Sequence, residues 1–527
     1  MNYQIDEDPF FEYDRIAAQG DLCKAQDYQD QPQELSNDDF RNMLVSIQWC
    51  YDNDQWQMVI NFAIYLQDFF EQQGFLEQGI LCTNWAIEAS DALNNILIRA
   101  RLSFNLGLFH DEQGRRTEAQ QYYQSSAELA RKLGQTTTLA DALHRLGWIA
   151  HSRRDYTRAK LLYEEAKALR ESLDPPDPLA LSRSWHQLGI LAQDMGDFEL
   201  AQTHYEKGLA LREAHNDLYL KAVSLHQLGA LAVEKKQWES ARTYFEQSLS
   251  LRRSLKDRAG EASVFGQLGF IAKKQQRWKS ARNYYLKSLD LQEKLGNVLE
   301  MIREKLHLGE VCLAQKDLEQ AEDWFKNCLQ ESKDLKDAYY EGRAGLQLGT
   351  VSFLKSGFKA AETYFQDSLK LLSELDGTLP EQAGILYQLG LVAYEQKDFQ
   401  KASQAFQDSL KIREQEGLRL EAAITHFQLG MVYQVQDSYD VAWQHYQVSL
   451  DIFKEEEEVI HYQIQVIYRL GNIAELSKQP RQACLYYRQT ERLCYQHNVS
   501  PPKQLTAALD RVGDKYTDVK LGGQKNE

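Results

Sequence analysis

The stretch LHQLGALAVEKKQWESARTYFEQSLSLRRSLKD, from Leu225 to Asp257, decides the fold of this chain. Its apolar residues recur at helical spacing in two blocks, and a turn is expected between the blocks near Lys236–Trp238. Each block is apolar on one face only, so neither helix can bury that face without a partner. The stretch therefore predicts two helices that pack against each other as a hairpin.

The same pattern recurs ten times at a nearly constant period. A Leu-Gly pair marks each copy, and successive glycines are 40 to 42 residues apart. These glycines are Gly107, Gly147, Gly189, Gly229, Gly269, Gly309, Gly349, Gly390, Gly430 and Gly471. An alanine follows 12 residues after each glycine, and an aromatic residue follows 16 after it. A fixed period of roughly 20–50 residues is typical of repeat proteins built from stacked units.

The repeated small residues have a steric explanation. A glycine in the middle of a helix costs roughly 0.5–1 kcal/mol relative to alanine, so its recurrence indicates a close approach. We expect the glycine of the first helix and the alanine of the second to bring the two backbones nearly into contact. The aromatic ring would then fill the space beside this small pair.

These positions resemble the tetratricopeptide (TPR) repeat family. The resemblance rests on the Leu-Gly pair, a turn such as Gly196-Asp197-Phe198, and the alanine and aromatic residue that follow, from about Asp54 to His497. The repeat is longer than the usual unit of about 34 residues and lacks the proline that normally ends the second helix. It is therefore similar to the long-repeat branch that includes kinesin light chain and the spindle-orientation adaptors.

The resemblance implies an all-α chain that forms a right-handed α-solenoid of about eleven helix hairpins with helical caps. In such a superhelix the first helices line a concave groove that binds peptides. Terminal repeats of a solenoid are atypical because one of their faces meets water.

The repeat pattern also predicts the domain organisation. Residues 39–93 are expected to form an N-terminal capping helix and a degenerate repeat, and residues 94–497 the ten repeats. Residues 498–527 are expected to form a C-terminal capping helix and a tail. Two irregular connectors, Asp174–Pro178 and Asp376–Glu381, are either hinges or tolerated loop variation.

Residues 1–38 form a strongly acidic leader with ten Asp and Glu residues against two basic ones. This composition predicts disorder. The aromatic residues Phe10, Phe11 and Tyr13 leave two interpretations open. The leader is either a solvated segment or a motif that associates with the groove of its own chain.

Composition excludes several classes of function. The chain carries a net charge of −17, whereas nucleic-acid-binding proteins are normally basic. No run of 18 apolar residues and no signal-peptide pattern is present, so we expect no membrane insertion. Seven cysteines without CxxC spacing predict a reducing compartment, and hence a cytoplasmic location.

No motif predicts catalysis or a cofactor. The sequence contains no HExxH, GxxxxGK[ST] or GxSxG. His144, His186 and His226 recur once per repeat, and helices packed about 8–10 Å apart hold such residues too far apart to share one zinc ion. We therefore expect a non-enzymatic chain without metal or cofactor.

The residue before each Leu-Gly pair is never apolar, and by the family resemblance it faces the groove. A carboxamide offers two donors and an acceptor, so a row of them predicts a ladder that holds the backbone of an extended peptide. The alternative explanation is that glutamine is a good exposed helix former. The ladder consists of Asn105, Arg145, Gln187, Gln227, Gln267, His307, Gln347, Gln388, Gln428 and Arg469.

Two further sets of residues are candidates for contact with a partner. Apolar residues of the later repeats either form groove anchors or pack between repeats. These are Phe353, Tyr387, Tyr394, Phe427 and Tyr468. A basic patch either accepts an acidic motif or is a solvated turn. Its members are Lys235, Lys273, Lys274, Arg303 and Arg343.

Together these patterns predict a scaffold or adaptor that binds a protein or peptide in the groove, without nucleic acid. The alternative is a ligand- or peptide-sensing regulatory subunit. Such a subunit would control a separate effector, such as a signalling ATPase, a nuclease, a protease or a transcription factor.

Substitution of a repeated alanine tests the hairpin prediction. Ala241→Leu should overpack its joint and lower the free energy of unfolding by roughly 1–3 kcal/mol. Glu239→Leu, two residues earlier in the same helix, should change it by less, because most surface substitutions have small effects. Urea denaturation measures both variants, and equal midpoints would contradict the helix-pair interpretation.

Overall fold

Residues 9–29, 36–456 and 459–513 are described by the computed structural model. Within these residues the chain forms 26 helices and no strand, which confirms the all-α prediction. Contacts divide the chain into two units, one ending at Gln267 and one beginning at Leu268.

Five helices precede the repeats: α1 (Pro9–Tyr28), α2 (Asn37–Asp52), α3 (Trp56–Tyr65), α4 (Gln67–Gln73) and α5 (Leu76–Ala92). Helix α2 lies where the capping helix was expected, and α3 to α5 lie where the degenerate repeat was expected. The first helix of that repeat is broken at Leu66, directly before Gln67, which stands where the later repeats have glycine.

The leader differs from its prediction, because the segment Pro9–Tyr28 is helical. Ala18 and Ala25 of α1 are buried, and α1 packs against α2 and α3. The prediction of disorder is therefore wrong for this segment, since small residues on one face give the acidic helix a surface that it can bury. Residues 1–8 and 30–35 lie outside the described residues, and association of the leader with the groove stays a prediction.

Ten hairpins with the Leu-Gly pattern follow. Their first helices are α6 (Ile96–Glu112), α8 (Thr136–Ser152), α10 (Pro178–Asp194), α12 (Leu218–Glu234), α14 (Arg258–Lys274), α16 (Val298–Ala314), α18 (Ala338–Leu354), α20 (Leu379–Glu395), α22 (Arg419–Val435) and α24 (Ile460–Leu476). Their second helices are α7 (Arg116–Leu133), α9 (Tyr156–Glu171), α11 (Phe198–Ala214), α13 (Trp238–Ser254), α15 (Trp278–Leu295), α17 (Leu318–Leu335), α19 (Phe358–Ser373), α21 (Phe399–Gln415), α23 (Tyr439–Lys454) and α25 (Pro480–Gln496).

Inside each hairpin the Leu-Gly glycine lies against the aromatic ring of the second helix. A Cβ atom placed on any of these ten glycines would lie 2.4 to 2.9 Å from a carbon of the ring 16 residues later. Real Cβ atoms essentially never approach so closely, so only glycine fits. The ring therefore supplies the nearest atoms to the glycine, and close approach of the repeated alanine to the same glycine stays a prediction.

The repeated alanine also packs at the joint between successive hairpins. All ten of these alanines are completely buried. Ala321, for example, lies in one cluster with Leu348 and Val351 of the next first helix. The same arrangement recurs at neighbouring joints in both units. A methyl side chain lets the next helix pack closely on the second helix of the hairpin before it.

The turn inside each hairpin has one backbone conformation. Seven residues after each Leu-Gly glycine, φ is positive, between 56° and 78°. Only Gly114 and Gly196 are glycines at this position. An aspartate then caps several second helices by accepting a hydrogen bond from a backbone N–H three residues later, namely Asp155, Asp197, Asp317 and Asp398.

Helix α26 (Leu505–Gly513) follows the last hairpin, where a capping helix was expected. Leu505 and Val512 are buried in one cluster with Tyr487 of that hairpin. Helix α26 therefore covers the apolar end of the hairpin. Residues 514–527 lie outside the described residues.

Two glycines of α20 provide a matched test of the glycine–ring contact. Gly390→Ala places a methyl group 2.6 Å from Phe406 and should lower the free energy of unfolding by roughly 1–3 kcal/mol. Gly384→Ala meets nothing within 4 Å, so its better helix propensity should raise that free energy by roughly 0.5–1 kcal/mol. Urea unfolding compares them, and a stabilised Gly390→Ala variant would refute the contact.

Candidate functional site

The ladder residues occupy one register of the ten first helices. Eight of them are half-buried, Arg145 is exposed and Asn105 is buried. Partial exposure at one position of successive helices gives each unit a row of accessible polar groups. The first unit has three glutamines in this row, Gln187, Gln227 and Gln267, and the second has Gln347, Gln388 and Gln428.

Most of these glutamines have unused hydrogen-bonding capacity. Among the described residues, five of the six make no side-chain hydrogen bond and have no buried unsatisfied atom. The sixth, Gln428, donates a hydrogen bond of 3.3 Å to the Tyr387 hydroxyl. A free, half-exposed carboxamide can still donate two hydrogen bonds and accept others. The row can therefore bind the backbone of another chain.

Two ladder positions that are not glutamine are used inside the protein. Asn105 donates a hydrogen bond to Gln67 of the degenerate repeat, so the first position of the ladder is closed. The His307 Nδ1 atom lies 3.2 Å from the Glu310 carboxylate. The side chains at these two positions are therefore already engaged within the chain, whereas five of the six glutamines are not.

The predicted groove anchors belong to the hairpin packing. Phe427 and Tyr468 are buried, and their ring centroids lie 5.8 and 5.7 Å from those of Tyr446 and Tyr487 in the same hairpins. A buried ring is not an accessible anchor, so the prediction is wrong for these two residues. Tyr387 packs in the same way but is half-buried, and its role as an anchor stays a prediction.

Phe353 and Tyr394 lie beside the turn of their hairpins. Their ring centroids are 5.8 and 5.6 Å from Phe358 and Phe399, which begin the following second helices. Both are half-buried. Each of these rings therefore packs against another ring of its own hairpin. Contact with a partner stays a prediction.

Carboxylates neutralise much of the predicted basic patch. The Lys235 ammonium lies 2.7 Å from Glu199, and Arg303 forms an ion pair with Glu300. Lys274 lies over an aromatic ring of its own helix, 5.4 Å from the centroid. Acidic partners therefore already hold Lys235 and Arg303. Whether the patch accepts an acidic motif stays a prediction.

Glu310 is the partner of the two other basic residues. It lies 2.5 Å from Lys273 Nζ and 3.8 Å from Arg343 Nη2, so it links first helices α14, α16 and α18. Burial raises the pKa of Glu310, but the hydrogen bond with His307 and the charge of Lys273 outweigh it and lower the pKa to about 2. Glu310 is therefore ionised and acts as a structural counter-ion.

A set of buried arginines near the ends of second helices was not predicted from the sequence. They lie 23 residues after the glycine of their hairpin: Arg170, Arg212, Arg252 and Arg413. Arg212 Nη1 donates hydrogen bonds to the Leu220 carbonyl at 3.0 Å and to the Ser224 hydroxyl at 2.6 Å, both on the next first helix. Burial lowers the pKa of Arg212 to about 10. The fixed offset from the glycine is the signal that could have revealed them.

Comparison with protein families agrees with this architecture. The family model described as tetratricopeptide repeat matches residues 98–172, 180–254, 221–294, 260–330 and 340–415, which together are more than half of the chain. The chain belongs to the tetratricopeptide repeat family, whose repeats serve as protein-interaction scaffolds.

Three solved structures are similar to this chain. BtubC (BKLC) from P. vanneervenii is 20% identical over 41% of this chain and 91% of its own, with a TM-score of 0.39. The apo form of RapI is 13% identical over 52% and 99%, with a TM-score of 0.43. The APC/C hetero-tetramer Cut9-Hcn1 is 13% identical over 96% and 97%, with a TM-score of 0.40. No curated protein matches the sequence significantly.

Two properties of the described residues concern membranes and metals. Every helix in these ranges is too short or too polar to span a lipid bilayer. No three His, Cys, Asp or Glu side chains in the same ranges are grouped so that they could hold a metal ion.

Removal of the Glu310 charge tests its role as a counter-ion. Its pKa falls from about 4.3 in an unfolded chain to about 2 in the fold. Its contribution to stability is therefore complete above about pH 4.5 and is lost as the pH falls toward 2. Glu310→Gln should lower the free energy of unfolding by roughly 1–3 kcal/mol at pH 7, because Lys273 and Arg343 lose their partner.

Urea unfolding at several pH values makes this measurement. The difference between Glu310→Gln and wild type should shrink between about pH 4.5 and 2. Glu293→Gln is the matched control, since Glu293 is exposed and has no ion pair among the described residues. A difference that does not change with pH would rule out the counter-ion role.

Proposed function

We propose that this chain is a scaffold that binds an extended segment of a protein partner along the glutamine rows of its first helices. The observation that carries the proposal is the row of free, half-buried carboxamides at one register. Membership of a family of protein-interaction scaffolds supports it. The groups that a binding surface needs are present and are not used by the fold.

The chemistry of the carboxamides indicates how the segment is held. Each one can pair with a backbone N–H and a backbone C=O of an extended peptide. A neutral hydrogen bond contributes about 0.5–1.5 kcal/mol net, so three glutamines with two bonds each would give about 3–9 kcal/mol. Ordering of the peptide offsets part of this gain. One unit can therefore bind a segment with moderate affinity and little selection among side chains.

Partner capture followed by substitution tests the proposal. Wild-type chain should retain a partner identified by mass spectrometry, and the purified partner segment should bind it in calorimetry. In the second unit, Gln347→Ala combined with Gln388→Ala should weaken this binding about tenfold or more, because several hydrogen bonds are lost. The corresponding pair in the first unit is Gln187→Ala with Gln227→Ala.

Matched controls come from glutamines of second helices. Gln330 and Gln404 are exposed and bond to aspartates of their own helices, Asp334 and Asp408. Alanine at these two positions should leave the affinity unchanged. If both ladder pairs bind as tightly as this control, the proposal fails. The identity of the captured partner also separates a scaffold from a regulatory subunit of a signalling effector.

A further inference from the structure

The joint at which α15 packs against α16 contains a completely buried carboxyl group. Glu304 of α16 has no exposed surface. Both of its carboxylate oxygens are buried, and neither has a hydrogen-bond partner among the described residues. A charged carboxylate is costly to transfer out of water unless hydrogen bonds or an ion pair compensate. Burial at this joint therefore favours the protonated, neutral form of Glu304.

The same register of other first helices shows what normally occupies such a joint. Glu304 lies five residues before the Leu-Gly glycine of its hairpin. In three joints this register has a hydroxyl that accepts a hydrogen bond of 2.5 to 2.7 Å from a buried arginine of the preceding second helix. These pairs are Arg170 with Ser184, Arg212 with Ser224, and Arg413 with Thr425. In five further joints this register is apolar, with Ala142, Val264, Ala344, Ile385 and Val466.

The arginine is replaced at the joint of Glu304. The corresponding residue of α15, 23 residues after Gly269, is Gln292. Gln292 is buried, and its carboxamide oxygen accepts a hydrogen bond of 2.9 Å from Asn297. A glutamine cannot neutralise a carboxylate. This joint therefore has an acid where three other joints have a hydroxyl, and it lacks the cation that those joints supply.

The charges on α16 compensate only in part for the burial of Glu304. Arg303 Nη2 lies 3.6 Å from a Glu304 oxygen, but the Arg303 side chain is 37% exposed and also forms an ion pair with Glu300. The Glu300 charge itself disfavours ionisation of Glu304. Lys305 pairs with α17 instead, where its Nζ atom lies 2.5 Å from Glu331. Arg303 is therefore a cation shared between two carboxylates.

Polar groups of the neighbouring helices leave the balance on the side of the neutral acid. Tyr285 of α15 and Tyr340 of α18 are uncharged at pH 7, because burial raises the pKa of both hydroxyls. Burial raises the pKa of Glu304 to about 7, against the opposing effects of Arg303 and of the Ser288 hydroxyl on α15. A substantial fraction of Glu304 is therefore protonated at neutral pH.

His307, on the same helix, acts in the opposite direction. Burial lowers the pKa of His307, against the effect of Glu310 and together with the charges of Lys273 and Arg343. A buried histidine of this kind stabilises the packed state at higher pH, whereas a buried acid with a raised pKa stabilises it at lower pH. The effect of Glu304 is therefore isolated by comparing proteins that both retain His307.

We propose that the joint between α15 and α16 is controlled by a proton: the two helices pack closely while Glu304 is protonated, and the joint loosens when Glu304 is ionised. A glutamate in water, as in an opened joint, has a pKa of about 4.3. Closing of the joint therefore takes up a proton between about pH 4.3 and 7. The contribution of Glu304 to closure is greatest at the acidic end of this range and is lost as the pH rises through it. Acidification thus holds α15 more firmly against α16, whether or not a partner is bound.

Hydrogen exchange of the full chain, measured by mass spectrometry on peptides from α15 and α16, tests the proposal. The exchange rates give the opening constant of the joint after correction for the pH dependence of intrinsic exchange. Wild type is compared with Glu304→Gln, which keeps the shape of the protonated side chain and cannot ionise. The ratio of the two opening constants should rise about 40-fold between pH 5 and 7 and level off near pH 8. A ratio that stays constant from pH 5 to 8 would overturn the proposal.

Substitution at the replaced arginine provides the second measurement. Gln292→Arg places a guanidinium group in the register from which Arg212 reaches Ser224. This cation should keep Glu304 ionised in the packed joint, because an opposite charge nearby favours the charged form. The ratio of opening constants between Gln292→Arg and the Gln292→Arg, Glu304→Gln double variant should then rise less than about threefold between pH 5 and 7. A full rise in this pair would contradict the proposal.

Two controls separate the joint from the rest of the fold. Glu293→Gln, next to Gln292 but exposed, should keep the pH profile of wild type. Peptides from α21 and α22, whose joint pairs Arg413 with Thr425, should give a ratio of wild type to Glu304→Gln near one at every pH. An equal rise in these peptides would show that Glu304 acts on the whole fold, and the assignment to this joint would fail.

Discussion

The contact between a glycine and an aromatic ring sets the geometry of every hairpin. The ring lies where a Cβ atom would be, so the two helices approach more closely than any other residue allows. The residue three before the glycine then covers the same ring, as His144 covers Tyr163 and Phe427 covers Tyr446. This contact therefore helps to determine which side chains are buried, and the neighbouring ladder position stays at least partly exposed in nine of the ten hairpins.

The residue four positions after each glycine varies with the type of aromatic ring in the same hairpin. Where the ring is tyrosine this residue is polar, and Gln193 accepts a hydrogen bond of 2.8 Å from the Tyr205 hydroxyl. Where the ring is phenylalanine it is valine, leucine, phenylalanine or tyrosine, and Phe353 packs in the cluster that contains Phe365. This pairing explains why Phe353 is a hairpin residue, and it could have been predicted, since both offsets are constant in the sequence.

The sequence predicts the hairpins well because their determinants are local and steric. It does not predict which residues are buried against other helices that lie far away in the sequence. Ala18 and Ala25 of α1 are examples, because the composition of their segment indicated disorder. It also does not predict ion pairs between hairpins. Lys273 and Glu310 are 37 residues apart, and only the stacking of first helices brings them together. The register of the ladder residues could be predicted from the sequence. The ion-pair partners of nearby residues, such as Lys273, could not.

The proposed function depends on positions that the glycine–ring contact leaves partly exposed. Glutamine and arginine fit the ladder position equally well, so the choice of Arg145 is not steric. Arg145 also serves the fold, because its charge opposes the rise in pKa that burial causes at Glu71, Asp111 and Glu112.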